Sequence, residues 1–377
     1  MDFTLSDEQR LLQDTVARFV REQYGPEARR TSVAAPGGWR REVWKRFAEM
    51  GLLGLPFAED EGGTGAGPEE IMIVAEALGH GLVVEPFLPT VVLCGSLIAT
   101  AGTLRQREEM QPRIAAGDLT LALAHSEPTS RWSLADVTTR AEGKRSDFVI
   151  DGTKTGVLYG DSADTLIVSA RLEGGRRQDR GIALFLVSRT APGVTVRGTA
   201  TIDGQRTAEV TLANVIVPVD DVLGPLGLSY PTLEAAVARA IAALCAEAVG
   251  AMARLNALTA EHLKTRRQFG RPLADNQALR HRLVDMTIAC EEARSVMLLA
   301  AMHATDPDAQ ARRRAISAAK ARVGAAAKTV GQGAVQLHGG MGVVQENAVG
   351  DLFKRLTAIE LTFGDTDHHL DRFARAG

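Results

Sequence analysis

The spacing of hydrophobic positions changes character twice along the chain. Behind Ser6 and Gln9, which form a capping-box pair, Leu12, Val16, Phe19 and Val20 recur at the spacing of one helical face. Trp44, Phe47, Met50 and Leu53 continue that style, and "EDEGGTGAGPEE" reads as a loop ending in Pro68, which starts a helix running to Gly79. Residues 1–118 are therefore expected to be a helical N-terminal domain. From 119 to 228 the texture becomes short apolar runs broken by turn residues: "TLALAHS", "DFVIDGT", "DTLIVSA", "IALFLVS", "VTVRGT" and "AEVTLANVIV". Their length and β-branched content predict strands, with Asp-Gly turns at "IDGTK" and "IDGQR", in a small barrel or two packed sheets. Residues 229–377 return to helix. One long Ala-rich stretch after Pro231 stops at "FGRP"; a second, capped by Asp275, opens at "NQALRHRLVDM"; a third starts at "DPDAQ" and runs to about His338. Long helices joined by short loops predict a four-helix bundle.

Composition narrows the class of protein. At 377 residues the chain exceeds what one core usually serves, and with 45% hydrophobic residues it can bury a large one. The formal net charge of −3 gives no electrostatic reason to expect nucleic acid or an anionic membrane as partner. "ARRR" at 311–314 reads as the solvated face of a helix. Cys94, Cys245 and Cys290 lie far apart in apolar runs, as buried free thiols do in a reducing compartment. The start "MDFTLSDEQR" lacks a basic region followed by an apolar core, and no segment offers about 18 uninterrupted apolar residues. A soluble, cytoplasmic protein is expected.

Three stretches could carry chemistry. "LTFGDTDHHL", 361–370, gathers Asp365, Asp367, His368 and His369. Adjacent histidines on a helix diverge by about 100°, which disfavours a shared metal ion, whereas Asp365 or Asp367 suits a helix N-cap. "QLHGGMG", 336–342, puts paired glycines at a helix end, open to another backbone or a ligand, or simply stopping the helix. "KTRRQFGRPL" places Arg266, Arg267 and Phe269 at another helix end; arginine forks can hold phosphate and a ring can cover a flat cofactor, though a solvated basic terminus looks the same.

Together with "LSDEQRLLQDTVARFV", "MGLLGLPFAEDEGGTG" and "AVQLHGGMGVVQE", these stretches resemble the acyl-CoA dehydrogenase family over essentially the whole chain. "IAALCAEAVGAM" and "FKRLTAIELTFGDTDHH" look most like the small subunit of pimeloyl-CoA dehydrogenases, which work with a homologous large subunit. The resemblance implies FAD between the β-domain and the bundle, reaching a neighbouring subunit in a homo- or heterotetramer. Residues carried over as FAD contacts are Arg266, Phe269, Asn276, Gln277, Gln336, Leu337, His338, Gly339, Gly340, Thr366 and His368, with Ser126 from the β-domain; no metal is implied. The implied reaction is α,β-dehydrogenation of an acyl-CoA: a carboxylate removes the α-proton while the β-hydrogen leaves as hydride to flavin N5, and an electron-transfer flavoprotein or similar acceptor reoxidises the flavin.

The sequence departs from that pattern where the base should be. The two family positions for a catalytic glutamate hold Gly364 and Ala240, neither able to accept a proton. Asp365, one residue on, and Glu247, about two turns beyond Ala240 on the same helical face, are the substitutes, with capping and inter-helix hydrogen bonding as their alternative roles. "HSEPTSRWSLADV" keeps Ser126, Glu127 and Pro128 but lacks the family's "GAGSD", and Gly156 and Leu158 stand where Trp and a flavin-contacting Thr are usual. Two alternatives to an independent enzyme follow: a catalytically silent subunit completing a partner's FAD site, and, more remotely, a helical metal-binding or structural protein.

Overall fold

A computed structural model describes residues 4–144, 146–344 and 347–376. Met1–Phe3 of the N-terminal stretch, and Gln345 and Glu346 of the "AVQLHGGMGVVQE" stretch, lie outside them. The chain separates into two compact units, one built from Met1–Thr31, Pro68–Val83 and Ile241–Gly377, the other from Ser32–Gly67 and Val84–Ala240.

Helix α1 (Asp7–Gln23) opens on the predicted capping box: the Ser6 hydroxyl accepts from the Gln9 amide at 3.1 Å, and Gln9 Oε1 accepts from the Ser6 amide at 3.0 Å. It buries Val16, Phe19 and Val20. Then come α2 (Pro26–Ala34), α3 (Arg41–Glu49) with Val43, Trp44 and Phe47 buried, and α4 (Pro68–Gly81). Gly79 does not end α4 as its sequence suggests. It is a contact point: a Cβ at Gly79 would lie 2.0 Å from the Glu247 carbonyl oxygen, and one at Gly250 would lie 1.9 Å from that of Glu76. Two helix backbones thus touch where no side chain fits between them.

In the second unit a π-helical stretch, Phe87–Cys94, leads into α5 (Gly95–Ala101) and α6 (Leu104–Ala115). The six predicted strands all form: β1 (Leu121–Ala124), β3 (Asp147–Leu158), β4 (Thr165–Arg171), β5 (Ile182–Ser188), β6 (Val194–Ala200) and β7 (Arg206–Pro218). The short β2 (Arg140–Lys144) and β8 (Val222–Leu223) join them in one eight-stranded sheet, ordered β6-β7-β3-β2-β4-β5-β8 with β1 beside β4. β2 meets β4 at a single pair, Arg140 with Arg171, and the sheet folds about that join so that β3 and β7 share one core with β4 and β5. The Asp-Gly of "IDGQR" makes its turn, with Gly204 at φ 82°. That of "IDGTK" does not: Asp151 and Gly152 sit inside β3 at a bulge opposite β7.

The inside of this sheet carries ions. Lys154 is fully buried and donates to Glu127 Oε1 at 2.8 Å, the His125 carbonyl at 3.1 Å and Ser169 Oγ at 3.1 Å. Burial opposes ionisation of Glu127, but the Lys154 charge and hydrogen bonds from Lys154, Thr138 and Thr139 hold its pKa down at about 2. Burial, and then the Lys154 charge, push His125 down to about 3.

In the first unit, α7 (Tyr230–Thr265) continues past Ile241, and the two-stranded ribbon of β9 (Arg267–Gln268) and β10 (Arg271–Pro272) follows it. Next are α8 (Gln277–His303), α9 (Ala309–His338), α10 (Ala348–Leu361) and α11 (Thr366–Arg375). α8 and α9 pack along their lengths, and α10 and α11 both lie on α9. α9 starts within "DPDAQ" as expected, with Asp308 as its cap, but α8 takes Asn276 as its N-cap residue; Asp275 belongs to a preceding 3₁₀ turn. Arg312 is not part of a solvated face: it is buried, and its Nη1 donates to the Asp306 carbonyl, closing the turn before α9. α7 contains a window apolar and long enough to cross a membrane by length and composition, but 83% of it is buried, as in a core helix. Cys94, Cys245 and Cys290 are free and buried.

Because His125 is depressed from 6.5 to about 3, the stability it contributes is complete above pH 6.5 and is lost as pH falls towards 3. Between pH 6.5 and 5 that loss is about 2 kcal/mol. Urea unfolding at pH 7 and pH 5 measures it. His125→Phe removes the titrating group, so the difference between the two pH values should shrink; an unchanged difference would place the acid sensitivity elsewhere.

Candidate active site

The helix-end motifs come together through a ring contact that the sequence did not disclose. His262, in the last turn of α7, stacks on His338, the last residue of α9, with ring centroids 4.3 Å apart and planes 26° from parallel. This joins Arg266–Phe269 to Gln336–Gly340. Partial burial, then the neighbouring His338 and Arg266, lower the pKa of His262. His338 Nδ1 lies 2.9 Å from the Ala334 carbonyl, which only accepts, so Nδ1 carries the proton.

Between β9 and β10 the chain reverses through Phe269 at φ 52° and Gly270 at φ 82°. Both residues of such a two-residue reversal are left-handed, which glycine adopts freely and phenylalanine does not. The Phe269 ring is also wholly exposed, at 102%. A large apolar side chain is therefore held in water on a strained turn, the combination expected of a binding residue. The Arg266 side chain is exposed beside it. Asn276 accepts from Arg271 Nη2 at 3.0 Å and donates to the Leu273 carbonyl at 3.1 Å, while Gln277 begins α8. At the end of α9, Gln336, Gly339 and Gly340 are exposed and Leu337 and His338 buried; a Cβ on either glycine would meet nothing within 4 Å. That backbone is open to a ligand.

The C-terminal cluster is a packed helix start. Asp365 caps α11, accepting from the His368 amide at 2.8 Å, and Thr366 donates its amide to Glu360 Oε1 at 3.0 Å. His369 is fully buried with Nε2 3.1 Å from the Phe363 carbonyl, and burial, then Lys320, push its pKa to about 3. Burial lowers the pKa of His368 as well, with Arg372 adding to it. Lys320, also buried, donates to the carbonyls of Glu360 at 2.8 Å and Gly364 at 2.6 Å. Gly364 has φ 118°, and a Cβ there would lie 2.5 Å from His368 Cδ2 and 2.7 Å from His369 Nε2. Backbone and neighbours alike oppose any side chain at this position.

Ala240 is completely buried. Glu247 is held by both oxygens in a pair with Arg355, Nε to Oε1 at 2.6 Å and Nη2 to Oε2 at 2.9 Å, with the side chains 12% and 7% exposed. This is the inter-helix role expected as the alternative to catalysis, and Asp365 likewise has its capping role. In the β-domain the Ser126 carbonyl accepts from the Thr155 amide at 2.8 Å. Gly156 is exposed at φ 62° with open space around it.

Family models for the acyl-CoA dehydrogenase N-terminal, middle and C-terminal domains match residues 6–118, 122–215 and 230–377. Acyl-CoA dehydrogenase FadE12 of Mycobacterium tuberculosis is 31% identical over 359 residues, covering 92% of this chain and 90% of its own. The chain belongs to the acyl-CoA dehydrogenase family. A chain from the ChsE4-ChsE5 complex of M. tuberculosis superposes with a TM-score of 0.89 at 27% identity, covering 100% of this chain and 98% of that one. One from a variant of the Tcur3481-Tcur3483 steroid ACAD gives 0.89 at 28%, covering 99% and 98%. The fold is the family's: helical N-terminal domain, middle β-domain, helical C-terminal domain.

FAD is the cofactor of acyl-CoA dehydrogenases, and the helix ends of this chain fit it. Arg266 suits a diphosphate, Phe269 a flat ring system, and the open backbone at Gly339 and Gly340 close approach. Arg266→Ala should weaken FAD binding about tenfold or more, as loss of a charge-assisted phosphate bond does. Arg18→Ala on the exposed face of α1 is the matched control, since Arg312 is buried. Equal FAD affinities in titrations of the two variants would reduce Arg266 to a solvated helix end.

Proposed function

We propose that this chain is the subunit without a catalytic base in a heteromeric FAD-dependent acyl-CoA dehydrogenase. A homologous partner supplies the glutamate, and Arg266–Phe269 with Gln336–Gly340 complete that partner's FAD site. The observation that carries this reading is Gly364, whose backbone and histidine neighbours leave no room for the side chain that the family's chemistry places there. The likeness to chains from two assemblies that are each named as a pair of proteins supports it. So does the resemblance of 241–252 and 353–369 to the small subunit of pimeloyl-CoA dehydrogenases.

The chemistry explains why the missing group matters. The α-proton of a thioester is weakly acidic, so its removal needs a carboxylate within hydrogen-bond reach, strengthened by a dry, polarising pocket. FAD, when bound, supplies the acceptor for the β-hydrogen. In this chain Asp365 accepts the His368 amide and Glu247 is clamped by Arg355, so each already has a structural partner. What the chain contributes is positioning: an exposed guanidinium, an exposed ring and an open glycine turn. The substrate is an acyl-CoA thioester, with an electron-transfer flavoprotein or similar protein as acceptor of its electrons.

Co-expression with a homologous subunit, followed by mass measurement, flavin quantitation and turnover with an artificial electron acceptor, tests the reading. The homomer should turn over acyl-CoA about 10²–10⁴-fold more slowly than the heteromer, the usual contribution of a general base. Robust homomeric turnover that survives both Asp365→Asn and Glu247→Gln would sink it. Glu247→Gln should instead destabilise the fold by about 1.5–3 kcal/mol, because it replaces a charged, two-pronged partner of a buried arginine, and denaturant unfolding reads that loss directly.

A further inference from the structure

An unassigned feature of the first unit is a cleft of about 580 Å³ lined by α1, α4, α7 and the turn after α1. None of its lining residues belongs to the helix ends assigned to FAD or to the cluster around Gly364. Its walls are mostly apolar, including Ala17, Val20, Ile73 and Ala253, and its polar lining includes Arg254 on α7.

Arg254 makes one hydrogen bond, from Nη1 to the His80 carbonyl at 2.7 Å, and no ion pair among the described residues. The charge that acts on it is another cation, Arg29, which has its own carboxylate, Asp351, at 2.7 Å. Glu76 also lines the cleft but is bound to Arg294 at 2.6 Å. A half-buried guanidinium lacking a counter-ion, beside a second guanidinium, is costly unless an anion arrives. Burial and Arg29 both lower its pKa, as that cost requires. The Nε–Nη2 edge remains for a bidentate anion, the geometry that carboxylates match. Two further observations point to the class of anion. Of the two arginines in the lining, Arg21 pairs with Glu22, which leaves Arg254 as the open guanidinium for a single anionic group, and the apolar walls favour a hydrocarbon body; the volume suits a small organic molecule.

We propose that this cleft binds a small monocarboxylate with an apolar body, its carboxylate on Arg254 and its hydrocarbon portion against α1 and α4. The site is independent of the dehydrogenation chemistry and of whether the chain pairs with a homologous subunit.

Hexanoate is the probe, with hexanamide as the uncharged match, titrated into the full-length protein by calorimetry or ligand-observed NMR. Hexanoate should bind saturably and hexanamide about tenfold more weakly or worse, as loss of a charge-assisted pair implies. Arg254→Gln should weaken hexanoate by a similar factor. Because Arg254 also holds the end of α4, Ala17→Phe supplies a second variant: it fills the cleft from α1, leaves the guanidinium in place, and should also abolish binding. Absence of saturable hexanoate binding, equal affinity for hexanamide, or binding unchanged in Ala17→Phe would each overturn the proposal.

Discussion

The direct backbone contact between α4 and α7 governs the packing of the first unit. With Gly79 against the Glu247 carbonyl and Gly250 against that of Glu76, the two helices approach more closely than side chains would permit. That approach places the His80 carbonyl within reach of Arg254 and leaves the cleft beside α1 as the space the helices do not fill. It also sets the rotation of α7, so that Glu247 meets Arg355 of α10. Alanine at either glycine would force the helices apart and disturb all of these contacts together.

Local features were legible in the sequence because their causes are local. The capping box at Ser6 and the helix starts at "DPDAQ" and Asp365 each depend on residues within a turn of one another. The six apolar strands declared themselves by composition. β2 did not, because its residues are mostly exposed and polar and it is defined by its pairing with β3 and a single pair with β4. Asp151-Gly152 looked like a turn but became a bulge because β7 extends the pairing past it. Arg312 looked solvated because nothing in "ARRR" shows the Asp306 carbonyl folded back towards it.

The candidate site divides along the same line. The motifs at 266–269 and 336–340 are continuous in sequence and were found there. The contacts that organise them are not: His262 meets His338, Lys320 holds the Gly364 carbonyl, and Arg355 engages Glu247, each pair brought together by the packing of separate helices. A single sequence names the residue types in such pairs without revealing who faces whom. The absence of glutamate at 364 was plain from the sequence; that the position resists a side chain was not.

That resistance sets what a substitution at 364 could achieve. At Gly364 a new Cβ would press on the His368 and His369 rings, and the φ of 118° suits glycine alone. Gly364→Glu alone would therefore not install a working glutamate. The helix start at Asp365 would have to relax and at least one ring would have to shrink or swing away. Glycine at 364 and the two histidine rings are therefore one packing unit, and any change at one of them is felt at the other two.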